Sequence, residues 1–504
     1  MIPATDLLFS PIVEDLPSPV LHQTPSKKLP GLRPTGTKVV VTLGPASHSV
    51  EVLENLIRAG ANVFRLNFSH GNHADHTEVL QNIRTAEKNL GASVAVLQDL
   101  CGPKIRLSQV AQQLGPEVQT NQPLTLTTSE HWQQGQRSYD LATNYQPILQ
   151  DVRVGESILI NDGKVRLKVT ACCKDHLQTE VIQPGELSIG KGINLPQARL
   201  STPSVTEKDW DDLAWGIHHQ VDFVALSFVR QAQDLMQVRD HLDRAGSVTQ
   251  LIAKIERPEA LEDLDDILDW CDGLMVARGD LALETDYARV PLVQKQLIRA
   301  CRQQNKTVIV ATQMLDSMVE SATPTRAEVS DIANAILDGT DAVMLSNESA
   351  VGKFPVAAVQ TMTEVATATE SVSTQAFSQQ QLPNSSRMSA MAEATRTIAE
   401  RTHAKAIVVY TQSGYAARHL ASLRMNRPIV AVTNLAVTQR QLSLSYGVNA
   451  VLLDSLLDRD GFIQTLVNLG SENQWWRTGD SLVFLCSESG CSGDINSLQV
   501  VQVD

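Results

Sequence analysis

Asp280 closes the segment Gly-Leu-Met-Val-Ala-Arg-Gly-Asp at residues 273–280, and Lys254 and Glu256 close Leu-Ile-Ala-Lys-Ile-Glu at 251–256. A parallel strand covered on both faces reads as a continuous apolar run, so charges at its C-terminal end stand where solvent or ligand reaches them. Two carboxylates with one lysine and one arginine make a nest for a divalent cation and a phosphate. Glu256 and Asp280 suit Mg²⁺ (or Mn²⁺), since hard cations take few carboxylates and complete their octahedron with substrate oxygens and water. Lys254 shares a strand face with Glu256 at i,i+2 spacing. Its ammonium can face a transferring phosphoryl group or a developing enolate, where fixed charge does most of the stabilising. The Arg278-Gly279-Asp280 backbone opens the next helical segment, and N–H groups there suit an anion.

Eight short apolar runs must position these groups. They begin near Lys38, Asn62, Ser93, Val221, Gln250, Gly273, Thr307 and Asp341, and apart from one long gap they are 23 to 34 residues apart. Amphipathic stretches lie between them, such as 50–59 and 258–270, the second with Pro258 where a first helical turn begins. Eight strand–helix units fit a (β/α)8 TIM barrel better than an open doubly wound sheet. Chemistry in such a barrel gathers at strand C-termini. Strand two ends in Arg65, Asn67 and Ser69, and strand three in Asp99. Strand five supplies Lys254 and Glu256, strand six Arg278 and Asp280, and strand seven Thr312 and Gln313. Any one of these fits a buried structural ion pair equally well. Chance is a poor account of the whole set falling at strand ends.

The long gap, residues 107–200, has another texture. Residues 157–170 alternate apolar and polar around Asp162-Gly163, a hairpin signal that predicts an inserted β-rich lid domain. Barrel segments then cover 35–106 and 201–370, behind an arm over 1–34 that carries seven prolines. The arm holds Asp6, Glu14 and Asp15 with no arginine before Arg33, so it resembles neither a secretory signal nor a transit peptide. A polar stretch from about Ser371 reads as a linker. Alternating strands and helices over 385–504 predict a C-terminal open α/β domain. Within it Thr411-Gln412-Ser413-Gly414 lies between a strand and a helix, where it is either a phosphate cradle or a plain turn of small residues. His70 and His73 follow Ser69 without metal-ligand spacing.

A net charge of −14 argues against general nucleic-acid binding, and no apolar run reaches the length of a membrane span. The seven cysteines include the adjacent pair Cys172 and Cys173 but no Cys-x-x-Cys. That usage favours reduced thiols and a cytoplasmic location.

Several segments resemble the pyruvate kinase family in order: TKVVVTLGPAS (37–47), NVFRLNFSHG (62–71), KGINLP (191–196), AKIERPEAL (253–261), MVARGDLALE (275–284), PLVQKQLI (291–298), ATQMLDSM (311–318), PTRAE (324–328) and DGTDAVMLSNESAVGKFP (338–355). The resemblance implies a barrel with a mobile lid, a C-terminal regulatory domain and a homotetramer. It implies phosphoryl transfer from phosphoenolpyruvate to ADP, giving pyruvate and ATP. By the same resemblance Arg65, Lys254, Gly279, Asp280 and Thr312 meet the substrate, and Asn67, His70, Arg106 and Lys191 meet the nucleotide. Many members hold K⁺ at a site resembling Asn67, Ser69, Asp99 and the carbonyl of residue 100, and usually carry glutamate in Gly-Pro-Glu. Here Lys104 follows Gly102-Pro103, and its ammonium is a fixed cation in place of K⁺, so K⁺ is not expected to be required. Many members also bind a sugar bisphosphate at a loop resembling 411–416, with Thr411, Ser413 and Gly414 here as the effector contacts. A lysine is frequent where Gln412 stands, so a singly phosphorylated sugar or a nucleotide is the expected effector. The sequence departs from the family pattern at Leu100-Cys101, Ala282 and Asn347-Glu348-Ser349. Two other readings use the same residues: a metal-dependent barrel aldolase or lyase acting on pyruvate enolates, and a catalytically silent metabolite-binding subunit.

Overall fold

The computed structural model of this chain describes residues 31–32, 35–115, 117–134, 138–372, 386–453, 458–487 and 495–504. The arm, apart from Gly31 and Leu32, and nearly all of the polar linker lie outside them.

All eight apolar runs become strands of one closed barrel. They are β1 (Lys38–Thr42), β2 (Ala61–Asn67), β3 (Ala95–Asp99), β4 (Phe223–Leu226), β5 (Gln250–Ile255), β6 (Gly273–Ala277), β7 (Thr307–Ala311) and β8 (Ala342–Leu345). Each pairs in parallel with its neighbours, and β8 closes on β1 with Ala342 opposite Lys38. The runs are unbroken because both strand faces are covered. One face packs on the helical layer through residues such as Phe64, Val96, Leu251 and Val276. The other fills the lumen with Val40, Val63, Leu97, Phe223, Ile252, Met275, Ile309 and Met344. Side chains alternate along a strand, so the next inward position after each filler falls at the barrel mouth. There Thr42 follows Val40, Arg65 follows Val63, Asp99 follows Leu97, and Lys254 follows Ile252. The apolar filling thus gives way to a polar layer at one end.

The helix Val50–Ala59 forms as its pattern predicts, capped by Ser49 and burying Leu53, Leu56 and Ile57. Residues 258–270 instead form two helices, Glu259–Glu262 and Leu264–Trp270. The break falls at Asp263, whose carboxylate turns aside to accept the Ala232 N–H at 2.6 Å.

Between β3 and β4 the chain leaves the barrel and builds a mostly antiparallel sheet, seven strands among the described residues. This sheet has its own core around Leu126, Ile158, Leu167 and Val181. Ser157–Ile160 pairs with Val165–Cys172 across the expected turn. Asn161, Asp162 and Gly163 turn there at φ of 55°, 55° and 77°, a region these three residue types enter most readily. Entering and leaving chains run side by side as a neck, with Leu107 N donating to the Lys191 carbonyl and Ile193 N to that of Ile105.

The C-terminal unit is an open sheet of β9 (Ala406–Tyr410), β10 (Ile429–Thr433), β11 (Val448–Leu452), β12 (Ser481–Cys486) and β13 (Ser497–Gln502). Its order is β11-β10-β9-β12-β13, with only β13 antiparallel. The unit packs under the N-terminal end of the barrel. Lys38 Nζ donates to the Val448 carbonyl at 2.7 Å, and Arg424 reaches Asp341 at 2.9 Å. Among the described residues no helix is long and apolar enough to cross a membrane.

Candidate active site

The polar layer at the barrel mouth is a connected chain of charges. Arg65 Nε donates to Asp99 Oδ2 at 2.6 Å, and Arg65 Nη1 to Thr42 Oγ1 at 2.9 Å. Lys254 Nζ stands 3.1 Å from Asp99 Oδ1, 3.1 Å from Glu256 Oε1 and 2.6 Å from Ser227 Oγ. Glu256 Oε2 accepts the Phe228 N–H at 2.8 Å. Lys254, Asp99 and Glu256 are buried, and Arg65 is half-buried.

Burial sets the protonation of this chain in opposition to charge. Burial alone would raise the Asp99 carboxyl, but Arg65 and Lys254 outweigh it and hold it below the usual range. Burial would lower the Lys254 ammonium, yet Asp99 and Glu256 hold it well above an ordinary lysine. The Glu256 carboxyl is raised by burial, against the pull of Lys254, with Asp280 pushing it higher still. His70 at the mouth is lowered by burial and then by Arg106, Lys104 and Arg65. Three cations, Arg65, Lys104 and Lys254, therefore meet three carboxylates, Asp99, Glu256 and Asp280, in the cavity at the mouth.

One cavity collects Arg65, Asn67, Ser69, His70, Asp99, Lys104, Lys254, Glu256, Asp280 and Thr312. Thr312 reaches it by an unusual backbone, since its φ is 71°, rare for a β-branched residue and frequent at functional sites. The Gly279 N–H donates to Thr312 Oγ1 at 2.7 Å, so this expected anion donor is already engaged. Arg106 and Lys191 are half-buried on the lid neck and do not line the cavity. Ser69 N donates to Asn67 Oδ1 at 3.2 Å.

Two residues expected at the mouth are turned away. Arg278 is drawn outward by Asp331, which it meets at 2.7 Å, and by the carbonyls of Ala311 and Thr312. Gln313 is exposed outside the cavity. His73 does not line the cavity, and its Nε2 lies 2.8 Å from Asp212 Oδ1.

The residues fit a cation of the magnesium type. Glu256 and Asp280 repel one another, and a divalent ion between them would relieve that repulsion. Among the described residues the Asp280 carboxylate has no hydrogen bond or ion pair, and no group of three or more His, Cys, Asp or Glu could form a closed metal cage. Two carboxylates with room for substrate oxygens and water is the arrangement Mg²⁺ takes.

In the C-terminal unit Thr411 is buried, Ser413 is exposed and Gly414 opens the helix Tyr415–Ser422 with φ 78°. The Gln412 carbonyl accepts Thr438 Oγ1 at 2.6 Å, which fixes the loop between β9 and that helix.

Comparison with known proteins decides the family. The profile described as the barrel domain of pyruvate kinase matches residues 35–359, and that of the pyruvate kinase alpha/beta domain matches 389–501. The chain belongs to the pyruvate kinase family. It is 43% identical to pyruvate kinase 2 of Synechocystis over 93% of this chain and 79% of that one. Identity to the pyruvate kinase of Mycobacterium intracellulare is 41%, over 92% of this chain and 98% of that one. With the pyruvate kinase of Bacillus licheniformis it is 40%, over 93% and 80%. As a member of the pyruvate kinase family the chain is a phosphotransferase.

The departures from the pyruvate kinase pattern leave the charge chain intact. Glu348, between the unusual Asn347 and Ser349, is buried and accepts the N–H groups of Leu315 and Ser346. Cys101 lines the cavity without joining the charge chain. Sequence reasoning missed Ser227, Thr42, Phe228 and Ser346. The first, second and fourth were open to the period-two rule, each being the inward position just past the filler of β4, β1 or β8. Phe228 contributes through its backbone N–H at a φ of 54°, for which the sequence carries no signal.

Proposed function

We propose that this chain transfers the phosphoryl group of phosphoenolpyruvate to ADP, giving pyruvate and ATP, with Mg²⁺ (or Mn²⁺) held by Glu256 and Asp280. The observation that carries this reading is the buried, charged Lys254, kept so by Asp99 and Glu256, in the cavity that Arg65 and Asp280 also line. A fixed ammonium in a water-poor site acts on charge that develops on a transferring phosphoryl group and on the enolate it leaves. Arg65, Asp280 and Thr312 hold the substrate, with Gly279 steadying Thr312 through its N–H. Asn67, His70, Arg106 and Lys191 hold the nucleotide from the mouth and the neck. A divalent ion held by Glu256 and Asp280 would offset the charge of the phosphate. A coupled assay of pyruvate formation tests the reading. Pyruvate should form only with phosphoenolpyruvate, ADP and a divalent ion together. Pyruvate formed with release of inorganic phosphate and no need for ADP would instead make the site a phosphatase, and none at all would leave a lyase acting on another pyruvate enolate or a metabolite-binding subunit.

The domain divisions that go with this reading are an arm at 1–34, a barrel at 35–106 and 201–370, a lid at 107–200 and a regulatory unit at 385–504. A cytoplasmic homotetramer is the assembly in keeping with it.

K⁺ is not required in this account. Lys104 lines the same cavity as Asn67, Ser69 and Asp99. At about 4 Å and an effective dielectric near 20, one such charge interacts with an anion by roughly 4 kcal/mol. In Tris buffer free of sodium and potassium the wild type should keep most of its activity, and Lys104→Glu should become dependent on K⁺. Tenfold or greater activation of the wild type by K⁺ would refute the substitution of charge.

The loop at Thr411, Ser413 and Gly414 binds a singly phosphorylated sugar or a nucleotide as effector. Gln412 brings no positive charge for a second phosphate. Fructose 1,6-bisphosphate should therefore activate weakly, and strong activation at micromolar concentration would contradict this assignment.

A further inference from the structure

The lid neck ends in a buried polar knot that the chemistry above does not use. Asn194, on the leaving strand, donates from Nδ2 to Glu284 Oε1 at 2.9 Å. Glu284 Oε2 accepts Arg257 Nη1 at 2.8 Å, and Arg257 Nη2 donates to the Ala198 carbonyl of the lid at 2.8 Å. Exposure is 9% for Asn194, 6% for Glu284 and 2% for Arg257. Arg257 directly follows Glu256, and Glu284 lies one helical turn beyond Asp280 in the helix Arg278–Glu284. The knot therefore ties the leaving strand of the lid to both segments that carry the candidate metal ligands.

The same strand carries Lys191, three residues before Asn194. Arg106 faces it across the neck, bridging Gly192 through its backbone and donating from Nη1 to the Gly190 carbonyl at 2.8 Å. A two-stranded neck is a hinge, and its angle to the barrel is free unless a side chain fixes it. Asn194 does this without adding charge: its amide donates to a carboxylate that Arg257 already neutralises.

We propose that Asn194, Glu284 and Arg257 are positioning residues that fix the lid neck to the barrel and so set Lys191 and Arg106 where ADP is bound. The proposal rests on the assignment of the nucleotide to Arg106 and Lys191. It separates the two substrates, because phosphoenolpyruvate is held by the barrel mouth and not by the neck.

The test compares Asn194→Ala, Asn194→Asp and Lys191→Met in the full-length protein by steady-state kinetics and by hydrogen exchange of the Gly190 and Ile193 amides. Asn194→Ala removes the lid's side-chain contact to the knot and leaves the Arg257–Glu284 pair and the Arg257–Ala198 hydrogen bond in place. It should speed exchange at both amides and raise the KM for ADP about tenfold, with the KM for phosphoenolpyruvate moving less than about twofold, the scale of one lost hydrogen bond to a charged group. Asn194→Asp sets a carboxylate against Glu284 and should give the same split, larger. Unchanged exchange and unchanged KM for ADP in Asn194→Ala would overturn the proposal. So would a rise in both KM values in step with a loss of thermal stability, which would make the knot structural only. Lys191→Met reports separately on the nucleotide assignment: if it leaves the KM for ADP unchanged, that assignment fails, while the amide exchange still judges whether the knot fixes the neck.

Discussion

Replacing Lys254 by methionine is expected to cut turnover about 10²–10³-fold while phosphoenolpyruvate affinity moves only a few fold, because a contact made mainly in the transition state lowers turnover and not ground-state binding. The geometry makes the substitution readable. Asp99 keeps its 2.6 Å contact to Arg65 when Lys254 is removed. Glu256 loses the strongest charge opposing its burial, so its carboxyl rises further. Stability should fall as well, by up to about 3–5 kcal/mol, since removing one partner of a buried pair leaves the others exposed to the desolvation cost. Turnover is therefore to be measured well below the melting transition of the variant. Retention of more than about a tenth of wild-type turnover would remove Lys254 from the chemistry.

Glu256→Gln and Asp280→Asn should each raise the Mg²⁺ concentration for half-maximal activity by at least about tenfold, because a neutral amide is a poor substitute for a carboxylate at a hard cation. The two variants should differ in what else they disturb. Glu256 also pairs with Lys254 at 3.1 Å and accepts the Phe228 N–H, so its amide weakens the whole charge chain and lowers turnover even at saturating metal. The Asp280 carboxylate makes no such contacts among the described residues, so Asp280→Asn should recover more of its turnover when Mg²⁺ is raised. There is a pH signature too. Burial and Asp280 raise Glu256 above an ordinary carboxylate, so protons should compete with the metal at a pH where an exposed glutamate would already be ionised. The wild-type Mg²⁺ requirement should rise as pH falls through that range. Unchanged Mg²⁺ titrations in both variants would mean that the ligands are elsewhere.

The barrel was legible because its strands are covered on both faces, which leaves unbroken apolar runs that end in charge. The lid was legible from one hairpin with Asp162-Gly163 at its turn. The mouth was legible where a charged residue ends a run, as at Lys254 and Glu256. It was less so where a hydroxyl such as Ser227 does the work, because serine after an apolar run also reads as the start of a loop. Arg278 misled for a physical reason: its side chain is long enough to reach back to Asp331, a residue 53 positions away whose nearness only the closed barrel creates. The break at Asp263 was hidden in the same way, since it depends on an N–H from another unit of the barrel. Sequence period reports which face a residue occupies, but not which distant group that face will meet.

The central claim is that phosphorus passes directly from phosphoenolpyruvate to ADP at this mouth, and following the phosphorus tests it most directly. Phosphoenolpyruvate carrying a labelled phosphoryl group would be incubated with ADP, Mg²⁺ and the protein, and the products separated. The label should appear in the terminal phosphate of ATP in equal amount to the pyruvate formed, and Lys254→Met should slow both together. Label released as inorganic phosphate, or pyruvate formed while ADP stays unchanged, would contradict the account.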